Sequence, residues 1–339
     1  MNSLSRGLFN PYFSHIYIEE ALAGKEETEE VLRHFPHAVK VKISHYKDVF
    51  CRSRQDCALQ KQSPSLILAA KQEHLIYPGA PVCQDFGNRH FYYTSCVMNC
   101  VYDCEYCYLQ GMYPSSHMVV FLNLEDVFVQ TEILLKDHPV YLCISYDTDL
   151  LALEPVFGCV RRWISFAAAH PSLTIEIRTK SAGFHYIGDL APLQNVIFAW
   201  TLSPEEVCQA FERHTPSLHA RLASAAAAAD RGWPIRLCFD PLLYIKDWKR
   251  LYQELVSTVF QTLSPDSIKD ASIGVFRVSS EYLKRMKQRR PVSVLLHYPY
   301  ENENGVCYYG KERTEELTRE MQRLLLAYLP EEKLFIWRS

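Results

Sequence analysis

The chain has 339 residues, 48 % hydrophobic and 22 % charged, with a formal net charge of −3, the profile of a globular protein with enough length for a large core and one or two domains. No run of eighteen apolar residues occurs and residues 1–10 offer no apolar stretch of signal-peptide length, which excludes a membrane-spanning helix and points to the cytoplasm. Twelve cysteines are then expected as thiols and metal ligands in a reducing compartment, and the small net charge neither demands nor excludes a nucleic-acid partner.

In chain order, the first 80 or so residues mix short strands and helices without regular alternation, and residues 1–88 are assigned to a small N-terminal α/β appendage. Four cysteines then fall within twelve residues: Cys96, Cys100, Cys104 and Cys107, the last three spelling CxxxCxxC ahead of Tyr108-Leu109-Gln110. Three thiolates so spaced can hold three corners of one 4Fe-4S cluster and leave its fourth iron open to a small chelating molecule. That is the arrangement a radical S-adenosyl-L-methionine (SAM) enzyme needs. Other readings stay open at this point. A structural zinc site would normally need a second ligand pair a dozen or more residues away. A cluster held by all four thiols, Cys96 included, would carry electrons instead, and a chance run of buried or disulfide cysteines would do neither.

From residue 118 onward apolar runs alternate with helix-like segments, the pattern of strand and helix units around a parallel sheet. The expected strands are 118–122, 140–144, 173–177, 196–200, 235–239 and 273–278. Six strands predict an α/β fold with a partial (β/α)6 TIM-like barrel over residues 89–290. Asn123, followed by Glu125 and Asp126, is expected to cap a helix over 124–136, and Ser203-Pro204-Glu205-Glu206 to open another. The Ala-rich stretch 217–230, with Leu218 and Leu222, reads as a packed helix stopped by Gly232 and Pro234. Residues 291–339 are assigned to a C-terminal β-hairpin, turning over 301–305 at Asn304-Gly305, and a helix over 314–328.

In strand-helix barrels the reactive groups stand at the carboxyl ends of the strands. This rule selects Ser145, Tyr146, Asp147, Thr148 and Asp149 after the second strand, Arg178-Thr179-Lys180 at the third, Thr201 at the fourth and Asp240 at the fifth. SAM presents a carboxylate, an amine and a ribose, for which a lysine, hydroxyls and an acid are matching partners. Among the other thiols, Cys159, Cys208 and Cys238 read as small core residues, and Cys51, Cys57 and Cys307 show no partner. Cys83 lies just before the cluster segment and Cys143 at the end of the second strand, near the expected pocket; at either, an S–H could give a hydrogen atom to a carbon radical, and simple packing is the competing reading for both. Two basic clusters, Lys246, Lys249, Arg250 and Lys284, Arg285, Lys287, Arg289, Arg290, are either solvated helix faces or phosphate contacts.

The stretch from Cys100 to Gln110 resembles the cluster motif of the spore photoproduct lyases, a family of radical SAM DNA-repair enzymes. Further segments fit in the same order: Asn10-Pro11 with Ile16-Tyr17-Ile18-Glu19, Ser44-His45, Thr179-Lys180, Thr201-Leu202-Ser203, Pro241-Leu242-Leu243-Tyr244 and Tyr309-Gly310-Lys311. The resemblance implies that SAM is cleaved to methionine and a 5′-deoxyadenosyl radical, which takes a hydrogen from C6 of 5-thyminyl-5,6-dihydrothymine so that the linking bond breaks and two thymines return. It implies Cys100, Cys104 and Cys107 as cluster ligands and Tyr106, Thr148, Lys180, Thr201 and Asp240 as SAM contacts. Tyr106 and Tyr108 would also return the radical to SAM. The implied enzyme is a monomer acting on DNA that carries a thymine dimer lesion, with an electron donor such as flavodoxin or ferredoxin and no membrane.

Two departures from the family pattern stand out. Bacillus-type members carry Cys-Thr-Ser-Asp after the second strand, with a thiol that quenches the product radical; this chain reads Tyr146-Asp147-Thr148-Asp149. Cys83 is therefore the first candidate for a relocated donor and Cys143 the second. In the hairpin, Glu301-Asn302 stand where the family places an Arg-Tyr pair that props out the lesion, leaving Tyr298, Tyr300, Tyr308 or Tyr309 as a wedge or stacking face, or as hairpin packing. A relative with the same activation step but a peptide, RNA or small-metabolite substrate is the alternative.

Overall fold

The computed structural model of the chain describes residues 13–80 and 83–337; Asn10-Pro11 and Pro81 lie outside the described residues. Two main sheets organise these residues. The first has the order Val39–Ile43, His15–Glu19, Leu66–Ala69, Met118–Phe121, Val97–Met98, parallel except for the last pair. The run expected as the first barrel strand, 118–122, is thus a strand of this other sheet, paired to Leu66–Ala69. All four residues of Met118–Phe121 are buried, so the segment is apolar on both faces, and such a run does not disclose which sheet will hold it.

The second sheet supplies the partial barrel. Six consecutive parallel strands are β1 (Phe91–Tyr93), β2 (Val140–Cys143), β3 (Leu173–Thr179), β4 (Val196–Thr201), β5 (Ile235–Leu242) and β6 (Ile268–Val275). The short strand Tyr77–Pro78 borders β1 antiparallel, and Leu334–Ile336 borders β6 in parallel. The expected sixth strand, 273–278, is displaced: β6 starts at Ile268, and Arg277–Ser279 belongs to the hairpin sheet. The first half of β6 was hidden because Asp270 and Ser272 are polar yet buried, so it lacks an apolar signature.

Alternation along the strands divides two interiors. Leu173, Ile175 and Ile177 of β3 pack with Val196, Phe198 and Trp200 of β4 and with the covering helices in the main core. Each fully buried large apolar side chain there contributes about 1.5–3 kcal/mol. The concave face is polar. Its lower layer is Arg236, bonded to Glu176, to Tyr141 and to Asp270 (Nη2 to Oδ2 2.8 Å), with its guanidinium 3.2 Å from the centre of the Phe86 ring. A fully partnered network of this kind is stable in a low dielectric. Arg178 (Nε to Glu176 Oε1 3.4 Å), Cys143, Cys238 and Ser272 form the next layer up. The carboxyl ends of the strands lie above them.

Helix starts differ in detail from the expected caps. Ser217, not among the expected caps, caps Leu218–Asp230, accepting from the Ala220 amide at 3.3 Å. Ser203 does not cap Glu205–Phe211; its hydroxyl donates to Glu212 Oε1 at 2.9 Å. Asn123 precedes Leu124–Leu135, but its side chain accepts from the Lys71 amide at 2.7 Å and donates to the Lys71 carbonyl at 2.8 Å, tying the barrel's first helix to the other sheet. The hairpin Glu301–Glu303 and Val306–Tyr308 turns at Asn304 and Gly305, both at positive φ (50° and 83°), as a two-residue turn requires. The last helix, Lys311–Leu325, begins almost one turn before the expected position.

Candidate active site

The cysteine loop is held on two sides. Asp103–Cys104 pairs antiparallel with Glu212–Arg213, Cys104 opposite Glu212, and the Glu105 amide donates to the Phe211 carbonyl at 2.7 Å. On the other side the helix Ser280–Arg289 and the residue after it reach across: Arg285 to the Gly111 carbonyl (3.1 Å), Arg289 to the Tyr113 carbonyl (2.6 Å), and Arg290 to Gln110 Oε1 (2.9 Å) and Asp103 Oδ2 (2.5 Å). Three members of the second basic cluster are therefore spent on the loop, leaving fewer for a phosphate surface. In the first cluster Lys249 pairs with Glu316 and Arg250 with Glu254, both at 2.7 Å.

Within the loop, Cys104 is buried and Cys100 and Cys107 are half-buried. Burial pushes all three thiols up, Cys100 to about 12, while the amides of Tyr102 and Leu109 act in the other direction on Cys100 and Cys107. Bound iron would reverse this, because a coordinating thiol is deprotonated outright. Buried sulfurs with amide donors on them fit a 4Fe-4S cluster. Among the described residues no three His, Cys, Asp or Glu side chains meet in a single-ion cage; a cube takes each thiolate on a different iron, so its ligands need not meet at one point. Cys96 is turned elsewhere. It is 2 % exposed and accepts from the Trp163 indole N–H at 3.4 Å inside the core.

At the mouth of the barrel, the Thr148 hydroxyl is buried with no hydrogen-bond partner among the described residues, which leaves it free to pair with an incoming polar group. The Lys180 ammonium lies 5.4 Å from the centre of the Tyr106 ring, and the Lys180 amide donates to Asp149 Oδ2 at 2.6 Å. Asp149 also accepts from Thr179 Oγ1 (2.7 Å) and the Ala152 amide (3.1 Å), so it fixes the end of β3 against the helix Leu150–Phe157. Thr201 ends β4 in a buried position, its carbonyl accepting from Arg221 at 3.3 Å. Asp240 accepts from Arg277 at 3.3 Å and lies over Gly274, where a Cβ would fall 2.6 Å from its carboxyl carbon.

Sequence reasoning missed Glu212 and Arg221. Tyr106 donates to Glu212, which also accepts from Ser203 and from Arg221, and Arg221 further donates to Thr215 Oγ1 at 2.7 Å. Burial works to raise the Glu212 carboxyl, yet Lys180 and Arg221 hold it below its ordinary value. An acid and a base nine residues apart, one of them in the Ala-rich helix, carry no motif. Lys71 carries no motif either: it is buried, and its ammonium faces Asp147, a strand-end residue that is itself buried and accepts from Ser95.

The remaining candidates form a line. Tyr108 donates to the Tyr146 carbonyl at 3.0 Å, the Tyr146 hydroxyl lies 3.4 Å from the Cys83 sulfur, and the Tyr146 ring stacks on Tyr93 at 4.2 Å. Cys143 is 6 % exposed on β2, and burial with Glu176 beside it pushes its thiol up. In the hairpin, the Glu301 carboxylate lies against Gly310, where a Cβ would fall 2.2 Å from Oε1, and Asn302 Oδ1 accepts from the Gly305 amide at 3.1 Å. Tyr309 is buried, Tyr300 donates to the Leu295 carbonyl at 2.9 Å and Tyr308 to Glu303 at 2.9 Å. Tyr298 lines a cavity of about 470 Å³ together with Tyr244, Lys246, Arg250 and Val294.

The spore photoproduct lyase family model matches residues 91–335, from β1 to the strand Leu334–Ile336. Spore photoproduct lyase of a Geobacillus species is 22 % identical over 202 residues, 58 % of this chain and 59 % of that protein. The Bacillus subtilis enzyme is 22 % identical over 185 residues, 52 % of this chain and 53 % of that protein. The chain thus spans little more than half the length of the curated relatives it matches. A solved spore photoproduct lyase variant with bound AdoMet and dinucleoside spore photoproduct is similar at a TM-score of 0.82, with 18 % identity, covering 96 % of this chain and 99 % of that one. Spore photoproduct lyase complexed with dinucleoside spore photoproduct is similar at 0.82 and 19 %, covering 96 % and 98 %. At these identities the likeness shows the fold, and the family model, which runs across all six barrel strands and the cysteine loop between them, shows the kinship: the chain belongs to the spore photoproduct lyase family.

Proposed function

We propose that this chain is a radical SAM carbon-carbon lyase that reverts the spore photoproduct in DNA, 5-thyminyl-5,6-dihydrothymine, to two thymines. The observation that carries this reading is the position of the Cys100 to Cys107 loop, held at the carboxyl ends of the barrel strands by the Cys104–Glu212 pairing. Cys100, Cys104 and Cys107 would hold a 4Fe-4S cluster. When bound, it supplies with SAM the 5′-deoxyadenosyl radical, with the electron coming from a donor such as flavodoxin or ferredoxin.

The protein's own task is aim and exclusion of water. Thr148 offers the unpartnered hydroxyl, Lys180 a cation for the SAM carboxylate, and Tyr106, Thr201 and Asp240 the remaining polar contacts around the mouth. Hydrogen removal from C6 of the lesion breaks the link between the bases, and the radical left on the product takes a hydrogen atom from Cys83. Cys83 suits this role better than Cys143 because it is half-buried at the mouth, while Cys143 is enclosed in the sheet. For DNA, the groove beside the hairpin offers the aromatic faces of Tyr244 and Tyr298, with Lys246 and Arg250 balanced there by Glu206 and Asp247.

A specific observation favours a second reading, a relative acting on a different substrate: Glu301 and Asn302 are absorbed in the hairpin's own packing instead of facing a lesion. A dinucleotide spore photoproduct deuterated at C6 separates the two. Deuterium appearing in 5′-deoxyadenosine or SAM supports the lyase, whereas SAM cleavage with unlabelled products and no thymine release supports the alternative.

A further inference from the structure

We infer that Tyr146 is a hydrogen-atom relay between Cys83 and Tyr108, a catalytic residue placed where this chain lacks a thiol; the inference rests on the repair reading above. Three contacts define the path. The Cys83 sulfur and the Tyr146 hydroxyl are 3.4 Å apart, the Tyr108 hydroxyl donates to the Tyr146 carbonyl at 3.0 Å, and the two tyrosine rings are 6.1 Å apart at 56°. Stacking on Tyr93 at 4.2 Å holds the Tyr146 ring in place. Tyr108 follows Cys107 directly in the chain, so the path leads from the donor thiol to the cysteine loop.

The chemistry balances at each step. Once Cys83 has given its hydrogen atom to the product radical, its sulfur is one hydrogen short. It takes that hydrogen from the Tyr146 O–H: an S–H bond forms, an O–H bond breaks, and no net charge moves in the barrel mouth. The Tyr146 oxygen radical then gains an electron from the Tyr108 ring and the proton of the Tyr108 hydroxyl, which restores Tyr146 and moves the radical to Tyr108. Thiol S–H and phenol O–H bonds are of similar strength, so neither group traps the radical. Burial pushes the Cys83 thiol and the Tyr146 phenol up, so both keep their hydrogens near neutral pH.

Direct generation of the Cys83 sulfur radical tests the relay without cluster or lesion. The metal-free protein, with the exposed Cys51 changed to serine, is S-nitrosated, frozen and photolysed, and its radicals are followed by electron paramagnetic resonance during annealing. A sulfur-centred signal that gives way to a tyrosyl signal, lost in both Tyr146→Phe and Cys83→Ser, supports the relay. A tyrosyl signal of undiminished size in Tyr146→Phe, or none in the parent protein, overturns it. In the loaded enzyme Tyr146→Phe should raise SAM consumption toward one molecule per lesion repaired, and an unchanged ratio overturns the relay as well. Failure of the parent enzyme to repair the lesion counts against the lyase reading itself and is read separately from the photolysis.

Discussion

Tyr106, in the cysteine loop, donates its hydroxyl hydrogen to Glu212, and Glu212 is the charge partner of the fully buried Arg221. The contact joins residues 106 positions apart and couples the loop to the end of β4 through the Arg221 bond to Thr201. Removing the acid leaves a buried guanidinium without its counter-charge, at a cost of about 3–5 kcal/mol, whereas removing the phenol loses one charge-assisted hydrogen bond, about 1.5–3 kcal/mol. Urea unfolding of the metal-free protein should rank Glu212→Gln as clearly less stable than Tyr106→Phe; equal midpoints would mean that Arg221 finds another partner.

Thr148→Val should separate stability from binding. The buried hydroxyl has no partner among the described residues, so its replacement by an isosteric methyl removes a desolvation cost of about 1–3 kcal/mol. The melting temperature should stay level or rise while SAM affinity, by equilibrium dialysis of the reconstituted protein, falls about tenfold for the loss of one hydrogen bond. A variant that is destabilised but binds SAM normally would place the hydroxyl outside the pocket.

The arginines of the second basic cluster should act on iron retention. Arg290 bonds both Gln110 and Asp103, on either side of Cys104 and Cys107. Groups that orient ligands typically contribute about 10–100-fold in metal affinity, so Arg290→Met should retain less iron than the parent after reconstitution and competition with a chelator. Lys284→Met, at an exposed position of the helix Ser280–Arg289 that Arg290 follows, serves as the control, and equal losses in both would argue for a general charge effect.

Acid should weaken the fold through His117. Burial lowers this imidazole from its ordinary 6.5 to about 4, and its Nδ1 accepts from the Ser65 amide at 3.0 Å, which the protonated ring could not do. Below about pH 6.5 the unfolded chain takes up a proton that the folded one refuses, so stability present above that value is lost as pH falls toward the folded value near 4. The urea midpoint of the parent should drop more steeply across this window than that of His117→Asn, which keeps an acceptor but does not titrate there. Parallel profiles would remove His117 from the acid response.

The cysteine motif, four of the six barrel strands (β2 to β5) and the hairpin turn were legible because each is written in local sequence: ligand spacing, apolar runs, and Asn304-Gly305. Where the fold was hidden, local sequence was ambiguous. Residues 118–122 are apolar on both faces and suit either sheet, and β6 is masked by Asp270 and Ser272, which face a polar barrel interior. Within the site, Thr148, Lys180, Thr201 and Asp240 follow from the rule that strand ends bear function. Glu212, Arg221 and Lys71 do not, because a buried charge is recognisable only once its partner from a distant segment is in place. Ser203 shows the same limit: its sequence context suggests a helix cap, and its actual partner is Glu212.

The lyase reading rests on a single conversion. Anaerobically reconstituted protein, given SAM, dithionite and dinucleotide spore photoproduct, should release the thymine-thymine dinucleotide together with 5′-deoxyadenosine, and changing Cys100, Cys104 and Cys107 together to alanine should abolish both. Intact SAM and intact lesion after reconstitution with a full complement of iron would contradict the account.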